Sequence, residues 1–123
     1  MAYSTTIKEV SRDISAKERI MLKDTTSAIK LDQATKVEDV HISVDMFAVL
    51  NIHNDKAEPK DYENYIIVDR NGTKYVTGSQ SFWKAFNDIY TEMKDEAEEW
   101  SIRVYRHPSK NYSGKDFIAC AIE

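Results

Sequence analysis

Long apolar runs are missing from this chain of 123 residues. None approaches the ~20 consecutive apolar residues that a membrane-spanning helix needs. The first ten residues, MAYSTTIKEV, lack the apolar core of a secretory leader, which predicts a protein that is not exported. Cysteine is nearly absent. Cys120 alone excludes an intramolecular disulfide and a cysteine-based zinc cluster, and fits a reducing compartment. Glycine and proline number only three and two, so their positions are informative. Internal repeats and low-complexity stretches are also lacking.

A basic coat is absent as well. The chain carries 17 basic and 21 acidic residues, a net charge of −4, which excludes nonspecific duplex binding by a uniformly basic surface. The charge is nevertheless polarised. Arg103, Arg106, Lys110 and Lys115 fall in a stretch without acids, together with His107. The preceding stretch holds Asp88, Glu92, Asp95, Glu96, Glu98 and Glu99 against Lys94 alone.

What is present is a domain's worth of residues with 41% hydrophobic and 31% charged content, enough for a modest core. Residues 1–36 are polar and read as a partly helical extension. Two capping-box patterns, Thr6-Ile7-Lys8-Glu9 and Ser15-Ala16-Lys17-Glu18, predict one or two short helices between Thr6 and Asp24. From residue 37 to 123 the pattern is that of a second, β-rich domain. Val40, Ile42, Val44 and Met46 alternate with polar residues, and Phe47, Val49 and Ile52 follow on a shifted phase. That shift predicts a bulge or bend within one long strand. Tyr62 to Asp69 and Thr73 to Thr77 form a hairpin across Asp69-Arg70-Asn71-Gly72, where Asn-Gly supplies positive φ angles. Phe82, Phe86, Ile89, Tyr90, Met93 and Ala97 share one helical face. Trp100, Ile102 and Val104 alternate with Ser101, Arg103 and Tyr105 in a fourth strand, and Lys115 to Ile122 make a fifth.

Strand, strand, strand, helix, strand, strand is the order of a five-stranded OB-fold β-barrel, with the helix between strands three and four. Other α+β arrangements share it. The N-terminal helical extension would be added to this mainly β domain.

No enzyme signature is present: no glycine-rich phosphate loop, no HExxH, no GxSxG. His41, His53 and His107 stand apart from one another without ligands at metal spacing, so neither a metal nor a cofactor is expected. Cys120 reads as a small buried hydrophobe. Phe47, Trp83, Phe86 and Trp100 read as core, whereas Phe117 and Tyr105 cannot be assigned a face by parity near a bend.

The chemistry-bearing pattern is cations interleaved with aromatics. Single-stranded nucleic acid is held by cations on phosphates and by rings stacked on bases, at ~1–3 kcal/mol per base. Arg103, Tyr105, Arg106, Lys110, Tyr112 and Lys115 occupy the fourth strand and the loop after it, which flanks an OB-fold binding groove. Tyr65, Lys74 and Tyr75 lie on the second and third strands, the groove floor. Lys56 and Lys60 sit in the loop forming the opposite wall. Against this stands the plain reading that tyrosines suit half-buried strands and that loop lysines need no function.

The segments YIIVDRNGTKYVTGS (65–79), SFWKAFNDIYTEM (81–93) and SKNYSGKDFIACAI (109–122) resemble small single-stranded DNA-binding proteins of phages that infect Gram-positive bacteria. The resemblance runs from Val37 to Glu123, about 70% of the chain. Ser109, Lys110, Gly114, Lys115, Asp116 and Phe117 match the family's loop with its GKDF ending. The resemblance implies an OB-fold that coats single-stranded DNA in phage replication or recombination, in the cytoplasm of the host bacterium. Its partners would be single-stranded DNA and phage or host replication and recombination proteins, with no membrane. Residues 1–36 have no family match and are expected to cap the barrel, mediate homo-oligomerisation or bind a protein.

A second expectation is a protein-interaction module, an inhibitor or decoy of a host nucleic-acid enzyme that uses the acidic stretch Asp88 to Glu99 in place of phosphate. A nuclease is a third, and would need clustered carboxylates and a metal.

Overall fold

The computed structural model describes residues 3–96, 98–108 and 116–123. The elements run β1 (Tyr3–Val10), α1 (Ala16–Lys23), a 3-10 turn (Thr25–Ser27), β2 (Ile29–Lys30), α2 (Leu31–Ala34), β3 (Val40–Asn54), β4 (Asp61–Asp69), β5 (Lys74–Thr77), α3 (Gln80–Met93), β6 (Ser101–Pro108) and β7 (Asp116–Ile122). The protein is mainly β with a few helices, and the helix expected between the third and fourth strands of the β-rich segment is α3. Among the described residues no helix is long and apolar enough to cross a membrane.

Two compact units emerge, both discontinuous in sequence. One comprises Met1–Ile29 and Asp45–Gly78, the other Lys30–Val44 and Ser79–Glu123. The long strand β3 contributes its first residues to one unit and the remainder to the other.

In the first unit, β3 lies beside β4, which pairs with β5, and β1 pairs with β3. The Thr6 capping box is therefore not used. Thr5, Thr6 and Ile7 lie in β1, antiparallel to Ile52, Asn51 and Leu50. β-branched residues suit a pleated surface, and pairing with β3 satisfies the backbone donors that a cap would have served. The Ser15 box does form: Glu18 N–H donates to Ser15 Oγ at 3.2 Å, and Ser15 N–H donates to Glu18 Oε1 at 3.1 Å. These bonds hold the Glu18 carboxyl below its ordinary pKa, helped by the Arg12 guanidinium.

The phase shift within β3 coincides with a run of consecutive buried residues. Residues 46 to 50 are all buried, so this stretch is covered on both faces and loses its alternation. In the β1–β3 pairing a register shift lies in β1, between Ile7 and Glu9. Leu22, Met46, Ala48, Leu50, Ile52, Ile66 and Val76 form a core against which Ile7, Val10 and Ile14 pack. Each large side chain buried there contributes about 1.5–3 kcal/mol.

The β4–β5 hairpin forms where the sequence places it, with a different turn. Gly72 N–H donates to Asp69 O at 2.8 Å, and Asp69 N–H donates to Thr73 O at 2.8 Å. Gly72 has φ of 91°, and among the described residues no non-glycine residue has a positive φ. Asn71 thus stays out of the left-handed region, and the loop has three residues closed by glycine rather than two with both angles positive.

In the second unit, β3 pairs with β6 and β6 with β7, all antiparallel. Ser79 caps α3, its Oγ accepting from Phe82 N–H at 3.2 Å. Phe82 and Phe86 are fully buried. Phe86 stacks on Trp83 at 5.4 Å, Tyr90 at 6.2 Å and Trp100 at 6.3 Å between centroids. Ile42, Ile102, Val104 and Ile118 supply the buried face of the strands. Ala97, expected on the α3 face, lies outside the described residues.

Candidate nucleic-acid interface

Alternation along β6 separates two jobs. Ile102 and Val104 are fully buried, so Arg103, Tyr105 and His107 share the opposite face. Their partners on β7 are Ala121, Ala119 and Phe117. The two alanines opposite Arg103 and Tyr105 add little bulk on that side.

The four larger side chains form a continuous strip. The Arg103 guanidinium carbon lies 4.5 Å from the Tyr105 ring centroid. Tyr105 and His107 are 6.5 Å apart, about the two-residue rise of a strand. His107 stacks on Phe117 at 5.3 Å and 28°. Phe117 is 39% exposed. Phe117 carried no assignment by parity alone. The signal that finds it is the register of β7, where Ile118 and Cys120 are buried and Phe117, Ala119 and Ala121 share the other face.

Charge at the strip is modest. Arg103 pairs with Asp39 at 3.5 Å, both side chains 45% exposed. Exposed pairs of this kind contribute about 0–1 kcal/mol, so a phosphate can compete for the guanidinium. His41, opposite Arg103 on β3, has its Nδ1 against the Glu123 carboxylate.

The other expected residues have different surroundings. Arg106 points away from the strip: its Nε donates to Thr35 Oγ1 at 3.2 Å, and its terminal nitrogen donates to Asp32 O. Thr35 Oγ1 in turn donates to Leu31 O at 2.7 Å, so Arg106 ties β6 to α2. Lys110, Tyr112 and Lys115 lie outside the described residues. Tyr65, Lys74 and Tyr75 belong to the first unit. Tyr65 is 4% exposed and donates its hydroxyl to Glu63 Oε1 at 3.3 Å. Burial and the neighbouring Glu63 charge push its pKa up. A ring so buried offers no face for a base in this conformation. Lys74 Nζ donates to Met21 O at 2.5 Å and to Asp24 O at 2.7 Å, which satisfies carbonyls at the end of α1. Both bonds are made at an exposed position. Tyr75 is half-buried, and burial followed by the Asp69 charge raises its pKa.

The first unit also holds a cavity of about 390 Å³ whose lining includes Thr6, Asn51, His53, Asp61 and Glu63. Its carboxylates oppose phosphate. His53 sits between two of the neighbouring acids, Nδ1 2.7 Å from Asp61 and Nε2 2.7 Å from Asp55. Its pKa is raised, first by the bond to Asp61 and then by that to Asp55. Asp61 reaches His53 across the β3–β4 loop, a pairing that sequence spacing does not reveal. Among the described residues, no group of three or more His, Cys, Asp or Glu side chains is placed to hold a metal ion.

Comparison with family models, with curated protein sequences and with solved structures finds no match to this chain.

Proposed function

We propose that this protein binds single-stranded DNA without sequence preference, as the resemblance to phage single-stranded DNA-binding proteins implies. The observation that carries the reading is the strip Arg103, Tyr105, His107 and Phe117 on the β6–β7 ladder, exposed but for the half-buried Tyr105. It combines a cation with a row of rings, the two elements that grip a single strand. Bases stack on the Tyr105, His107 and Phe117 faces, and Arg103 exchanges Asp39 for a phosphate. Lys110, Tyr112 and Lys115, outside the described residues, are further candidate contacts in this reading on residue type alone. Tyr75 remains a candidate, whereas Tyr65, Lys74 and Arg106 serve packing and tethering.

In the same proposal the five strands β3 to β7 form an OB-type barrel. The ladder orders β5-β4-β3 and β3-β6-β7, with α3 inserted between β5 and β6, support it. The protein then coats DNA in phage replication or recombination inside the host cell, binds no cofactor and catalyses no reaction.

Fluorescence anisotropy with labelled oligo-dT of about 30 nucleotides tests the reading, with duplex of equal length as control. Salt-sensitive binding to the single strand alone is the expected result. No binding at low salt overturns it.

A further inference from the structure

Away from the strip, α3 and the end of β7 enclose a groove of about 340 Å³ lined by Asp88, Ile89, Glu92, Met93 and Ile122. Its floor is Ile89, Met93 and Ile122. Ile122 is 49% exposed, although it stands on a strand whose Ile118 and Cys120 are buried. Asp88 and Glu92 are spaced four residues apart and form one acidic rim on α3. The acidic run continues through Asp95 and Glu96, both exposed. Ile89 and Met93, also four apart, place the apolar floor directly beside that rim.

An apolar slot with one charged edge selects its occupant by charge. Apolar area supplies the attraction, and the carboxylates reject acidic segments and steer basic ones. Nucleic acid is repelled by the same rim, so this face cannot serve the strip's ligand. We infer that the α3–β7 groove docks a short segment of a partner protein in which an apolar side chain is flanked by lysine or arginine. The apolar side chain seats between Ile89, Met93 and Ile122, and the flanking cations pair with Asp88 and Glu92. This inference does not rest on DNA binding.

The test uses the full chain and a pool of labelled peptides, each carrying one Leu, Ile or Phe flanked by Lys or Arg. A second pool has Glu at the flanking positions. Basic peptides are expected to bind, and acidic ones are not. Glu92→Lys and Ile122→Ser should each weaken basic-peptide binding by at least about fivefold, the threshold of a contributing interface residue. Both positions are exposed, and an unchanged circular dichroism spectrum confirms that each variant folds. Oligo-dT binding serves as an independent readout that neither variant should weaken. Absence of binding by every basic peptide overturns the inference, as does binding that the two variants leave unchanged. Self-association in sedimentation velocity that Ile122→Ser abolishes would overturn it too, by making a second copy the occupant.

Discussion

The Arg103 guanidinium lies over the Tyr105 ring, 4.5 Å from its centroid, with only alanines facing the two residues from β7. The ring orients the cation without surrounding it, and the Asp39 pair at 3.5 Å is too exposed to hold it strongly. Replacing either residue should therefore act on ligand binding rather than on folding. Tyr105→Ala and Phe117→Ala should each weaken oligo-dT binding about 5- to 150-fold, the range of one lost base stack. Arg103→Ala should reduce the salt slope of binding by about 0.7, the value of one phosphate contact on a single strand. Anisotropy across a salt series reads both. Equal affinity in all three variants would remove the strip from the interface.

Lys74 should behave in the opposite way. Its ammonium joins the carbonyls of Met21 and Asp24, so Lys74→Met should lower stability by about 1.5–3 kcal/mol, the range for hydrogen bonds to a charged group. DNA affinity should stay within twofold, as roughly expected for a residue outside the interface. Urea denaturation paired with anisotropy separates the two effects.

The His53 ring, bridging Asp55 and Asp61, makes stability depend on pH. Both contacts favour the protonated ring, and the folded-state pKa rises above the ordinary 6.5. The contribution to stability is complete below pH 6.5 and is lost as pH rises through the elevated folded value. Thermal melts from pH 5.5 to 8.5 should show this trend in the native protein and a flatter profile in His53→Gln, at approximately the pH range where histidine titrates. An NMR titration giving His53 a pKa at or below about 6.5 would contradict the bridge.

Phe86 anchors the second unit through its stacks on Trp83, Tyr90 and Trp100. Phe86→Ala should cost about 3–5 kcal/mol, a large share of the roughly 5–15 kcal/mol that stabilises a typical domain. Denaturation followed by the fluorescence of Trp83 and Trp100 measures it directly.

Cys120 is buried, and burial pushes its thiol pKa up to about 12. Native protein at pH 8 should react with a thiol reagent far more slowly than unfolded protein, because little thiolate forms and access is closed. Equal rates with and without denaturant would place the thiol at the surface.

Much of the second unit was legible in the sequence because its signals are local. Ile102 and Val104 against Ser101 and Arg103 needed only the two-residue period of a strand. Phe82 and Phe86 needed only the helical repeat, and Ser79 only its place before it. The Ser15 box formed because its donors and acceptors lie within four residues. The Thr6 box obeyed the same local rule and failed, because β3 offered Thr6 a partner at Asn51 that no local pattern reveals.

Side-chain roles followed the same division. Sequence alone identified which residues carry charge or rings, and the strand faces of Ile102, Arg103 and Val104, but not those of Tyr105 and Phe117. It could not tell that Tyr65 is covered, that Lys74 reaches α1, or that Arg106 reaches α2. Nor could it show that Phe117 meets His107 across the β6–β7 register. Those outcomes depend on contacts between residues 10 to more than 70 positions apart. Periodicity, set by backbone geometry, was already decided by the sequence. The tertiary structure alone decided which cations and rings were left facing water, because burial and hydrogen bonding are settled only when distant segments meet.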